Sequence, residues 1–303
     1  MDINSNQPII EFPFPNSEFL STAFIAKMNG PHGTIPYLEM VVESKEDDEM
    51  GQIGLQVRNK QIAAETFQVT SESSKTQSEE LQKMGIDMDS QMSSILNNES
   101  FLGMEKQLHD KYYNLGIRTY RKSYGKWKSF LNQYFNLEFP IYTEVNKIGS
   151  KILILSQMTA IRTRRGSANF VIVSPMVASM LMEDPSVRIL ETEMRNNSTE
   201  IYPSLSIADK IKVFIDPKMK YDNMTIVLGK TTESGNTGVV MGQYSRNFMK
   251  VDSVGATDFQ PTTKYQIRDR YVITDTNESA SDGFFTVNLV IGKKPLWRKL
   301  IGA

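Results

Sequence analysis

Cysteine is absent from this 303-residue chain, which excludes disulfides, thiolate nucleophiles and zinc–thiolate centres. Histidine is nearly absent. His32 and His109 are the only two, and most acid–base and metal chemistry draws on imidazole, so the raw material for catalysis is thin. Neither sign of charge is in excess: 34 Lys and Arg against 35 Asp and Glu leave a formal net charge of −1. That argues against general nucleic-acid binding as the main task, because such proteins carry a clear basic surplus. No window approaches the about 18 consecutive apolar residues of a membrane span. The opening MDINSNQPIIEFPF lacks the basic start and long apolar stretch of a secretion signal. These absences predict a soluble, intracellular protein, and 40% apolar residues are enough to bury a core.

What is present has a recognisable order. The first 36 residues are rich in Pro, Asn, Ser and Gly with scattered aromatics, and read as an arm that lies on something else. PYLEMVV and QIGLQV then flank the tip ESKEDDEMG, and Ile53, Leu55 and Val57 alternate with Gly54 and Gln56 at the period of a half-buried strand. The tip carries Glu43, Glu46, Asp47, Asp48 and Glu49 around one Lys45; it is either a solvated hairpin end or an acidic finger for a neighbouring chain. AETFQVT continues extended, SESSKTQS reads as a polar linker, and a short helix from Ser78 to Met84 stops at Gly85. Asp87 or Asp89 caps the next helix. In that helix Met92, Ile95, Leu96, Leu102, Leu108, Tyr112 and Leu115 recur at three- and four-residue steps, which predicts one buried face over roughly 40 Å, to about Asn114.

The segment that follows, IRTYRKSYGKWKSFLNQYF, interleaves Arg118, Arg121, Lys122, Lys126 and Lys128 with aromatics; a nucleic-acid surface and a seat for an acidic partner both fit. Residues 144–162 read as another amphipathic helix, Ser174-Pro175 as an N-cap and first helical position, and the C-terminal half as short strands between Gly, Asn and Asp turns. Mixed long helices and antiparallel-type strands indicate an α+β fold.

Four catalytic readings can be weighed. Ser174 precedes proline rather than the glycine of a nucleophile elbow, so a cap is the better account. Gly229-Lys230-Thr231 matches the end of a phosphate loop, but Met224 stands where that loop needs glycine, and a hairpin turn is expected instead. Glu105 and His109 are four apart on the long helix; with no second histidine nearby they read as a surface contact rather than metal ligands. The carboxylates of the acidic tip lie far from any expected pocket. No cofactor is expected, and an enzymatic role is not.

The order of arm, hairpin, long helix, α/β lobe and closing strands resembles the major capsid proteins of tailed bacteriophages, and within them the T-even-type myophage capsid family. EELQKMGIDMDSQMSSILNNESFLGMEKQLHD is similar to that family's spine helix and the short helix before it. NKIGSKILILSQMTAIRTRRGSANFVIVSPMVASML is similar to its helix, Arg-Gly-x-x-Asn-Phe strand and following helix. IKVFIDP, GNTGVVMGQYS and DFQPTTKYQIRDRYVIT resemble its later strands, so the likeness covers most of residues 60–275 in order.

The resemblance implies a fold of the Hong Kong-ninety-seven type: an N-terminal arm (1–36), an extended hairpin loop (37–75), a peripheral domain with the spine helix (76–130), an axial domain (131–240) and closing strands that return to the peripheral domain (241–303). It implies a structural subunit that self-assembles into the icosahedral shell enclosing the phage genome, as hexamers, pentamers or both. Vertex, decoration, scaffold and portal proteins, and packaged DNA on the inner face, are further implied partners, with no membrane. The implied location is the virion capsid, assembled in the host cytoplasm. On this reading the acidic tip packs on a neighbour's basic surface at Arg118, Arg121, Lys122, Lys126 and Lys128. Arg164 and Arg165 are then helix-end charges of the axial lobe, and Phe12, Phe14 and Phe19 anchor the arm on a long helix. A vertex pentamer or an encapsulin-like shell protein is the alternative within the class. A phosphate-handling α/β enzyme or a DNA-binding module is the alternative outside it.

Overall fold

The computed structural model describes residues 10–43, 52–134, 140–190, 200–219, 223–233, 238–254 and 261–291, with the backbone alone over 119–134 and at a few strand ends. The acidic tip at residues 44–51 lies outside them. In chain order the elements are β1 (Ile10–Glu11), β2 (Phe24–Lys27), β3 (His32–Glu43), β4 (Gln52–Ala63), β5 (Glu65–Ser74), α1 (Lys75–Lys83) and α2 (Met88–Tyr134). Then come β6 (Pro140–Thr143), α3 (Ile148–Thr163), β7 (Phe170–Val173), α4 (Pro175–Leu181), β8 (Val187–Ile189), β9 (Tyr202–Ile207), β10 (Ile211–Ile215) and β11 (Thr225–Gly229). β12 (Val239–Val254), β13 (Pro261–Asp275) and β14 (Phe285–Ile291) follow.

The expected linker is no linker. Its serines end β5, and Ser74 starts α1 through a capping box in which Ser74 and Gln77 each accept the other's backbone N–H at 3.3 Å. Gly85, at φ +77°, ends α1 in the left-handed conformation that glycine adopts without cost. The Asp87 side chain then accepts the backbone N–H of Asp89 at 3.2 Å, opening α2.

α2 runs to Tyr134, so the basic and aromatic segment is its last turns rather than a separate stretch. At 47 residues the helix is about 70 Å long. Its apolar stripe is as the periodicity predicts at Leu96, Leu102, Leu108, Tyr112 and Leu115, all buried, but Ile95 is 52% exposed. Phe101 and Met104 fill the stripe instead. A three- and four-residue spacing marks a face only approximately, and Ile95 lies on its margin.

Three sheets form among the described residues: a five-stranded one (β1, β12, β13, β5, with β2 also on β12), a seven-stranded one (β6-β14-β11-β7-β10-β9-β8) and the β3–β4 ribbon. β7 lies inside the seven-stranded sheet and is buried on both faces. Phe170 and Ile172 pack toward α2 with Phe214 and Val227, whereas Val171 and Val173 pack toward α3 and α4 with Ile152, Val177 and Leu181. An apolar run without alternation is what a strand covered on both sides requires. α2 therefore wedges between the two large sheets. At Gly116 it comes so close to β14 that an added Cβ would lie 2.2 Å from Thr286 Oγ1.

Candidate functional site

The β3–β4 ribbon is paired from His32↔Ala63 to Glu43↔Gln52 and projects from the body. Its root is buried: Ile35 and Ile62 pack with Met28 and Val240. Three polar contacts to separate parts of the chain hold it. Arg165, at the α3–β7 corner, donates from Nη2 to the Leu38 carbonyl at 2.9 Å. Asn277 donates to Glu39 Oε1 at 3.0 Å, and Glu39 also pairs with Arg58 at 2.6 Å. Lys60 donates to the Asp275 carbonyl. The Asp275 carboxylate in turn accepts Lys111 at 2.6 Å and Arg118 at 3.1 Å, both from α2. Burial pushes this carboxyl up, but the hydrogen bond and charge of Lys111 outweigh it and hold Asp275 below the usual range. Beyond this root the shaft is bare: Leu55 and Val57 are 66% and 69% exposed.

Of the five sequence-derived basic residues, Arg118 is committed within its own chain to Asp275. Arg121, Lys122, Lys126 and Lys128 fall on the continuing helix, with side chains outside the described residues. Of the five acidic ones, Glu43 ends β3 and the other four lie outside the description.

From residue 10 onward the arm is built into the body. β1 runs antiparallel to β12, and β2 parallel to it. Phe12 meets Phe248 edge-on at 5.8 Å, and Phe14 packs half-buried on the α2 core. Phe19 is fully buried between Tyr112 of α2 and Phe214 of β10.

Glu105 and His109 are no surface pair; both are buried, which corrects the expectation above. The helix periodicity could not show this, because the covering groups come from distant segments. Glu105 accepts Ser17 Oγ from the arm at 3.1 Å and the Ile201 backbone N–H at 2.9 Å. Burial, with Glu200 and Asp216 adding to it, raises its carboxyl to about 7. His109 Nδ1 meets Asp216 Oδ2 at 2.9 Å, at the end of β10. Sequence reasoning also missed Arg246 and Asp269, a fully buried ion pair at 3.1 Å between neighbouring strands. Ser100 donates to the same carboxylate, and Arg246 reaches the carbonyls of Pro13 and Asn97 at 3.4 Å each. The sequence signal for it was an Arg and an Asp falling at apolar positions of two long strands.

The corner between α3 and β7 is structural. Arg164, exposed, ends α3 at φ +51°, followed by Gly166 at φ +110°. Lys230 donates to the Arg165 carbonyl, while Asn169 and Thr231 exchange hydrogen bonds of 2.7 and 2.8 Å. The stretch around Lys230 is therefore bound to this corner. It is not the expected hairpin turn, because β11 lies in the seven-stranded sheet and β12 in the five-stranded one. Ser174 Oγ caps α4 at Val177 N and donates to the Asn223 carbonyl at 2.7 Å. Among the described residues no group of three or more His, Asp or Glu is placed to hold a metal, and no helix is long and apolar enough to cross a membrane.

Comparison with known proteins completes these observations. The model of the family "Major capsid protein Gp23" matches residues 16–292. No curated protein sequence is significantly similar. Among solved structures, one from Microbacterium phage Oxtober96 superposes with a TM-score of 0.57 at 9% identity, covering 96% of each chain. One from Mycobacterium phage Adephagia gives 0.56 at 9% identity over 93% of each. The capsid structure of the cyanophage P-SCSP1u gives 0.50 at 6% identity, over 96% of this chain and 93% of that one. At such identities the superpositions speak to fold alone.

Proposed function

This chain belongs to the Gp23 family of phage major capsid proteins, and from that premise we propose how its copies engage one another. It is a structural subunit of the phage capsid shell, with the α+β fold of Hong Kong-ninety-seven type, and as such a self-associating component of the virion.

The β3–β4 ribbon is the extended loop that reaches over a neighbouring copy. The observation that carries this reading is the contrast between a root fixed by Arg165, Asn277, Lys60 and Asp275 and a shaft that leaves Leu55 and Val57 bare. A rigidly rooted lever with unburied aliphatic side chains loses little entropy when it docks, and gains the burial of those side chains. The acidic tip, Glu43, Glu46, Asp47, Asp48 and Glu49, then meets Arg121, Lys122, Lys126 and Lys128 on the neighbour's long helix, opposite charge setting the register. Arg118 stays with Asp275 and steadies that helix end.

The arm, hairpin, peripheral, axial and closing segments divide at 36, 75, 130 and 240 on this reading. The axial lobes gather at the centre of hexamers or pentamers, and assembly proceeds in the host cytoplasm. Repeated, individually modest contacts of this kind are what closed symmetric shells are made from. The test is the double reversal Asp47→Lys/Asp48→Lys, viewed by negative-stain electron microscopy beside the native chain. Loss of shells and capsomers with an unchanged subunit melting temperature is expected. Normal shells from that variant refute the tip contact.

A further inference from the structure

Glu105 lies under the N-terminal stretch, and that stretch is held unequally along its length. From Phe19 onward it is pinned. Phe19, Leu20 and Thr22 are buried, Thr22 Oγ1 and Tyr112 Oη share a hydrogen bond of 2.8 Å, and the Thr22 carbonyl accepts the Thr232 N–H at 3.0 Å. From Ile10 to Ser17 the hold is lighter. Two residues of β1 pair with β12, and the Phe12 N–H reaches the Arg246 carbonyl at 3.0 Å. Phe12 and Phe14 are only half-buried, and Ser17 Oγ meets Glu105 Oε1 at 3.1 Å.

The groups around the Glu105 carboxyl offer an ionised form no cation. On α2 itself His109 is one turn away, but it is taken by Asp216. Glu200, ahead of β9, and Asp216, at the end of β10, both oppose a further negative charge. Glu18 of the N-terminal stretch and Lys212 of β10 pair with each other at the surface, at 3.4 Å. Two neutral donors, Ser17 Oγ and the Ile201 N–H, are what the carboxyl has among the described residues. That is adequate for a protonated acid and poor compensation for a buried carboxylate.

We infer that Glu105 is a proton-operated latch on residues 10–17. With the proton on, the acid stays under Ser17 and the stretch lies closed. With the proton off, the carboxylate regains hydration when Ser17 lifts, and the chain opens back from the pin at Phe19. The other cover, Ile201, is 6% exposed and runs directly into β9, which is paired on both sides, so it is the costlier one to lift. The proton thereby controls whether Phe12 and Phe14 stay on their own subunit. This goes beyond the shell role and does not depend on the ribbon contact proposed above.

The test is hydrogen exchange of unassembled full-length subunits, read by mass spectrometry from about pH 5 to pH 8 and corrected for the intrinsic rate at each pH. Opening that returns Glu105 from about 7 to its ordinary 4.5 should grow about 70-fold over that range in peptides covering residues 10–18. It should exceed the opening of β7 at every pH and be insensitive to about 1 M urea, the marks of a local event. Glu105→Gln should show no such rise, and neither should Glu105→Met, which serves if the Gln variant does not fold. A rise as large in either variant, or none in the native chain, overturns the latch. So does exchange at residues 10–18 no faster than in β7, which would mean that only global unfolding frees the stretch. Opening confined to peptides around Ile201 overturns it as well, because the carboxylate would then leave by the other side.

Discussion

Replacing Glu105 by Gln should stabilise the subunit, and by an amount that grows with pH. The native carboxyl is 1% exposed and its pKa is raised from 4.5 to about 7, chiefly by burial. The folded chain thus holds this proton to higher pH than the unfolded chain does. The contribution is fully present below pH 4.5, is lost progressively between 4.5 and about 7, and stays lost above. A rise of that size corresponds to about 3 kcal/mol. Gln cannot ionise, yet it keeps both partners: its carbonyl accepts the Ile201 N–H, and its amide donates to Ser17 Oγ. Glu105→Gln and the native chain should therefore be nearly equal in stability near pH 4.5. By pH 8 the variant should be ahead by up to about 3 kcal/mol, on the order of 5 °C in melting temperature for a chain of this size. Calorimetry or circular dichroism of unassembled subunits across that range, at constant ionic strength, gives the difference between the two proteins. Other groups that titrate contribute equally to both and drop out. A difference independent of pH, or a variant less stable at pH 8, would refute the account of Glu105 as a buried acid of α2 held by Ser17 and the Ile201 backbone.

Two further outcomes follow from the packing. Asp269→Asn removes the partner of the fully buried Arg246 and leaves its charge uncompensated between β12, β13 and α2, so urea unfolding should show a loss of about 3–5 kcal/mol; a loss under about 1 kcal/mol would mean that the Pro13 and Asn97 carbonyls suffice. Gly116→Ala forces a methyl to 2.2 Å from Thr286 Oγ1 and 2.5 Å from the Thr286 backbone N. It should cost at least about 1–3 kcal/mol and speed hydrogen exchange in β14, and a neutral effect would show that helix and strand separate freely.

Much of this architecture was legible locally. Strand alternation, the left-handed stop at Gly85, the Ser174-Pro175 helix start and the apolar stripe of α2 each depend on residues within a turn or two of one another. The order of these elements carried the family resemblance. What failed were inferences about what covers a surface. Glu105 read as half of a surface Glu–His contact because the two stand four apart on one helix, yet its two partners are 88 and 96 residues away. Arg118 looked free because its carboxylate, Asp275, is 157 residues distant. The turn expected after Gly229 proved to be a passage between sheets, since sheet membership is set by long-range pairing. Local spacing fixes backbone conformation because it acts through neighbouring dihedral angles and adjacent side chains. Burial, charge pairing and ionisation depend on which distant segment is packed on top, and for this subunit only the tertiary structure decides that.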